Sequence, residues 1–178
     1  MPVQIGSKSH SFSEPTGLLS DCHRRIEMFL TTLESVASLV DKPLDKQAQT
    51  ALESALRYFR EAAPKHTADE EESLFPRLRQ VHRPEVEAAV GTLDTLEHDH
   101  LRADRLQAEV DRLGRKCLDQ GSLSPSDAGG FRTRIAELAA IYKDHIRVED
   151  EVVFPVAGRM LSESDKAQIA SEMASRRK

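Results

Sequence analysis

The sequence predicts an all-α protein, an up-down-up-down four-helix bundle with a short additional C-terminal helix. Three observations predict it. The chain of 178 residues is 39% hydrophobic and 31% charged, which suits one soluble globular domain with a substantial core. Its Ala, Leu, Glu and Arg content is that of good helix formers. Apolar residues recur at alternating steps of three and four along four long segments, the period of one helix face. A compound motif also occurs twice, as HTADEEESLFP over 66–76 and HIRVEDEVVFP over 145–155, so the chain reads as two copies of a helix pair.

Residues 1–13 carry Gly and Ser without periodicity and are expected to form a flexible N-terminal arm. The bundle then occupies 14–161, and 162–178 form a short helix or tail. The first helix begins at Glu14 or Pro15, with Ser13 as its expected cap, and runs along Leu19, Ile26, Leu30, Leu33 and Ala37 to about Val40. The second runs from Asp45 to about Arg79 along Leu52, Leu56, Phe59, Ala63, His66, Glu70 and Leu74, with bends expected at Pro64 and Pro76. The third starts near Pro84 and follows Val86, Val90, Leu93, Leu96, His100, Ala103, Leu106, Val110, Leu113 and Cys117 to about Asp119. After the turn QGSLSPSDAGG comes a Ser or Asp cap. The fourth helix carries Phe131, Ile135, Leu138, Ile141, His145, Val148, Glu149 and Val152 to about Met160. Ser162 caps a polar segment expected to dock outside the core, with ASRRK as a solvated tail.

A net charge of −5 gives no general attraction to nucleic acid. No apolar run has the length of a membrane span, and MPVQIGSKSHSF lacks the apolar centre of a secretion signal, so the expected compartment is the cytoplasm. Cys22 and Cys117 are too few for a disulfide framework. The bundle layout separates them by roughly 25 Å. A monomer or homodimer is expected.

Every non-apolar seam position is a His or a Glu: His23, His66, Glu70, His100, His145 and Glu149. A His-x3-Glu spacing stacks both side chains one turn apart on one helix face, and here that face is the apolar one. A carboxylate buried without a partner costs several kcal/mol or takes up a proton. A pair of cations removes the conflict, with bridging carboxylates and neutral imidazoles as ligands. Four His and two bridging Glu supply two nitrogens and two oxygens per metal. An oxo or hydroxo bridge adds a fifth ligand and leaves one position for O2, NO or peroxide. Mixed N/O donors without thiolate suit iron; manganese or zinc can substitute.

The pattern His23 … HTADEEESLFP … DHLRADRL … HIRVEDEVVFP resembles the hemerythrin-like HHE cation-binding family over about residues 15–160. The resemblance implies a four-helix bundle holding an oxygen-bridged non-heme di-iron centre, with His23, His66, Glu70, His100, His145 and Glu149 as ligands. The oxygen-carrying members have a second His one turn after the third-helix ligand, where this chain has Asp104. They also have a longer His-to-carboxylate gap in the last helix. The four-His, two-Glu set is more similar to bacterial members associated with iron-centre repair and nitric-oxide stress. The resemblance leaves open an enzyme (an oxidase, peroxidase or NO-handling protein with an unknown electron donor) or a reversible binder, store or sensor of O2 or iron.

His98 lies 200° around the helix from the seam position His100 and is expected at the surface. Asp69, Glu71, Glu72, Asp150 and Glu151 read as a solvated charge run, with Glu71 or Asp150 as alternatives for holding a ligand imidazole. Glu27 and Asp104 read as structural or imidazole-bracing residues, and Tyr142 as packing at the bundle edge or a hydrogen-bond donor to a bound ligand.

Overall fold

A computed structural model describes residues 10–11 and 13–178, so most of the expected arm lies outside the described residues. Among these residues every regular element is helical. The helices are α1 (Pro15–Ala37), α2 (Lys46–Glu61), α3 (Ala63–Ala68), α4 (Phe75–Arg79), α5 (Glu87–Gln120), α6 (Pro125–Val148), α7 (Phe154–Met160) and α8 (Glu163–Ser175). Two π-helical turns, Asp69–Leu74 and Glu149–Val153, join α3 to α4 and α6 to α7. A 3-10 turn over Pro84–Val86 precedes α5.

The long helices form a closed ring: α1 packs against α2 and α6, and α5 packs against the same two. The two connections α1–α2 and α5–α6 meet at one end, where Leu44 N–H donates to Gly121 C=O at 3.0 Å and Leu123 N–H to Val40 C=O at 2.7 Å. Gly121 ends α5 at φ +84°, in the left-handed region that a residue with a Cβ enters only at a cost.

Several boundaries differ from expectation. α1 stops at Ala37, because Val36–Asp41 tighten into turns, with Leu39 N–H donating to Val36 C=O. Its N-cap is Glu14, which makes no side-chain cap bond, so Ser13 does not cap; Pro15 opens the helix with φ already set. The expected second helix is divided at Ala62, just before Pro64, and again at the first π turn. Asp45, Ser124 and Ser162 do cap, accepting from Ala48, Asp127 and Asp165 N–H.

The interior comprises two apolar clusters. One holds Ile26, Leu33, Phe59, Ala63, Ala103, Phe131, Tyr142 and Ile146 among others. The other holds Leu19, Leu74, Phe75, Leu96, Val153, Phe154, Ile169 and Met173. α8 therefore belongs to the core rather than outside it: Ile169 and Met173 are each 1% exposed. Along each long helical run, the seam His and Glu residues fall between a residue of one cluster and a residue of the other. The polar set is thus a layer across the interior, closed on both sides by apolar packing.

Candidate metal centre

α1 contributes His23, α3 His66, the first π turn Glu70, α5 His100, α6 His145 and the second π turn Glu149. All are at most 4% exposed. They form two groups of four donors, His23, His66, Glu70 and Glu149 in one and Glu70, His100, His145 and Glu149 in the other, with donor atoms in each group within 4.8 Å of one another. Both glutamates belong to both groups. His23 Nε2 lies 3.0 Å from Glu149 Oε2 and 3.9 Å from Glu70 Oε1. His66 Nε2 lies 3.1 Å from Glu70 Oε1, His100 Nε2 3.3 Å from Glu70 Oε2, and His145 Nε2 3.2 Å from Glu149 Oε2.

These approaches are close but off-angle. Both oxygens of Glu70 and Glu149, and Nε2 of His23 and His145, are buried without a hydrogen-bond partner among the described residues. The large majority of buried polar side-chain atoms in native proteins are paired, so a cluster of unpaired ones calls for an explanation. Unpaired nitrogen and carboxylate donors converging on one point are the arrangement that a hard or borderline cation satisfies, so the residues present fit a metal.

The electrostatics point the same way. Burial, with Glu149 next in effect, pushes the Glu70 carboxyl well above the usual carboxylate range. Burial acts against Glu149 too, but the close imidazoles of His145 and His23 hold it well below that range. Burial draws His66 down, and the charge of His23 adds to this. Burial also opposes charge on His23, yet Asp150 and Glu149 override it and raise the imidazole to about 9. Cations held by these donors would take the place of this set of compensating protons.

The π turns explain how each Glu reaches the centre. Phe75 N–H donates to Glu70 C=O and Phe154 N–H to Glu149 C=O, each a bond over five residues rather than four. The next residue is Pro76 or Pro155, which lacks an N–H and whose ring would collide with the carbonyl four positions back. Widening the turn moves that carbonyl aside. The repeated Phe-Pro thus accounts for the repeated π turn. Sequence reasoning expected a bend here and missed the widened turn, although the Phe-Pro spacing was its signal. The two Phe rings also cover the centre: Phe154 stacks on His23 with centroids 5.2 Å apart, and Phe75 lies parallel to His100 at 6.4 Å.

The acidic flanks are not a uniform solvated run. His23 Nδ1 lies 2.9 Å from Asp150 Oδ1, which also accepts from Ser20 Oγ at 2.8 Å, and Asp150 Oδ2 accepts from Arg24. His100 Nδ1 lies 2.7 Å from Glu71 Oε1. His145 Nδ1 is 3.8 Å from Asp99, too long for a hydrogen bond. A carboxylate behind a metal-facing imidazole fixes its tautomer and orientation. Asp69 is a correction, since it is 0% exposed and held by Arg176 and Arg177 at 2.9 and 2.6 Å. The expected solvated tail is therefore anchored. Glu72 also meets Arg176, at 3.0 Å, and only Glu151 stays an exposed residue without a partner among the described residues.

The remaining candidates lie off the centre. His98, Glu27 and Asp104 are exposed, and Glu27 pairs with Arg24. Tyr142 is buried with its ring centroid 6.3 Å from that of His145; its hydroxyl accepts from Gln107 Nε2 at 2.7 Å, and burial pushes it well above the usual phenol range. Cys22 and Cys117 are both buried and free. No helix of the described residues is long and apolar enough to cross a membrane.

Comparison with known proteins agrees with this geometry. An uncharacterised protein of Haemophilus influenzae is 26% identical over 173 residues, covering 94% of this chain and 92% of that protein. The model of the hemerythrin HHE cation binding domain matches residues 14–157, which contain all six candidate ligands. The chain belongs to the hemerythrin HHE cation-binding domain family.

Proposed function

We propose that this protein is a cytoplasmic non-heme di-iron protein that binds and redox-processes O2, NO or peroxide, drawing electrons from a separate donor. One observation carries the reading: two four-donor groups share both glutamates, and no oxygen of either glutamate has a hydrogen-bond partner among the described residues. Shared carboxylates suit a pair of ions at short separation better than one ion. Four imidazoles and no thiolate suit iron. When bound, the iron pair supplies electron exchange and affinity for small oxygen- or nitrogen-based ligands.

The chain's own residues do the rest. Glu70 and Glu149 hold both positions together. Asp150 and Glu71 orient His23 and His100 from behind. Phe154 and Phe75 exclude water on the sides they cover. We further propose an up-down-up-down topology for the bundle, supported by the meeting of the α1–α2 and α5–α6 connections at one end.

The test is to load the chain with iron anaerobically and mix it with O2, NO or peroxide, with and without a reductant, under stopped flow. The reading predicts multiple turnovers of at least one ligand. A persistent spectral change without net consumption would place the protein among reversible binders instead.

A further inference from the structure

The C-terminal helix α8 and the two arginines that follow it engage the first π turn and Arg77 of α4 as well as the core. Arg77 donates to both Glu172 carboxylate oxygens at 3.1 and 2.8 Å, and to Gln168 Oε1 at 3.1 Å. Arg176 donates to Asp69 Oδ1, Glu72 Oε2 and Ser73 Oγ at 2.9, 3.0 and 3.0 Å. Arg177 donates to the other Asp69 oxygen at 2.6 Å. Asp69 is fully buried, and its peptide neighbour is Glu70.

The second copy of the motif is an internal control. The positions matching Asp69, Ser73 and Arg77 are Val148, Val152 and Val156. At these three places the first copy is polar and the second apolar, whereas Glu72, which Arg176 also meets, matches Glu151. A buried ion pair is a weak source of stability, since an apolar residue of similar volume does as well or better. Val148, half-buried, is the apolar residue at that place in the twin. Keeping Asp69 with two arginines drawn from the far end of the chain calls for another role. A π turn has a looser backbone ladder than an α turn, so the segment carrying Glu70 is one that outside contacts can hold in place.

We propose that Asp69, Arg176 and Arg177 are positioning residues that latch the Glu70 turn, so that α8 sets how fast a metal ion enters or leaves the centre. The proposal rests on the metal-binding reading above. Because Glu70 belongs to both donor groups, releasing its turn loosens both positions.

The experiment follows chelator-driven iron release from the loaded full chain, comparing wild type with Arg176→Gln/Arg177→Gln. Release is expected to accelerate about tenfold or more, in line with the loss of supporting contacts at other metal sites. In the metal-free chain, amide hydrogen exchange over residues 69–75 should rise while residues 149–154 stay unchanged. The double variant strands Asp69 and can destabilise the fold, so Asp69→Val/Arg176→Gln/Arg177→Gln, which imports the twin's residue, is measured beside it. The latch predicts a folded triple variant that still releases iron quickly. A triple variant back at the wild-type rate means that the charges serve folding alone and overturns the latch. So does unchanged release in the double variant. A wild type that holds no iron overturns the metal reading and the latch together, whereas iron-loaded wild type with insensitive variants overturns the latch alone.

Discussion

His23 and His100 each present one ring nitrogen to the centre and the other to a carboxylate, Asp150 and Glu71 respectively. With a metal bound, that second contact would keep the hydrogen on Nδ1 and leave Nε2 as a lone-pair donor. Asp150→Asn and Glu71→Gln should each weaken metal affinity by about 10- to 100-fold. Competition against a chelator of known affinity measures this, and unchanged affinity in both would count against the assignment. Protons give a second check. In the metal-free chain, Glu70 is pushed well above the usual carboxylate range and His23 is raised to about 9. Both folded values exceed the ordinary ones, 4.5 and 6.5. The stability these protons give the metal-free chain is therefore complete below the ordinary values and lost as pH rises through the raised ones. A cation must displace the same protons, so loading should release protons at neutral pH and affinity should climb as pH approaches about 9. Calorimetry in buffers of different ionisation enthalpy reads the release, and buffer-independent heats would contradict it. At this scale the six candidate ligands were legible in the sequence, because a His or Glu on an otherwise apolar seam stands out. Asp69 was not: it opens the acidic run Asp69 to Glu72, and its arginine partners lie more than a hundred positions away.

At the scale of elements, the two π turns place Glu70 and Glu149, and a proline follows each turn. Pro155→Ala restores an N–H and removes the ring that keeps the turn wide, so the segment can close into an α ladder and rotate Glu149 relative to His145. Iron affinity should fall on the order of tenfold with little change in helical circular dichroism. Full retention of affinity would mean that the turn is set by something other than proline. The helices themselves were readable from periodicity and caps. Their interruptions were less so: a His-x3-Glu pair fits an α-helix, and only the backbone reveals that the Glu lies in a wider turn. The role of α8 was also hidden, because its segment is mostly polar and its two deeply buried apolar residues, Ile169 and Met173, form too short a stripe to signal core.

At the scale of the whole molecule, the interior is two apolar clusters separated by a buried layer of His and Glu. Such a layer is costly unless something satisfies it. A ligand bound only by the folded state stabilises it by an amount that grows with the logarithm of its concentration over its dissociation constant. Iron loading should therefore raise the thermal midpoint, and chelation should reverse the rise. The most direct measurement of the central claim is iron content together with Mössbauer spectra of anaerobically loaded protein, for wild type, His66→Ala and Glu149→Ala. The account predicts two irons per wild-type chain with the spectrum of a coupled pair, and loss of iron in both variants. Well under one iron per wild-type chain, or undiminished stoichiometry in both variants, would contradict it.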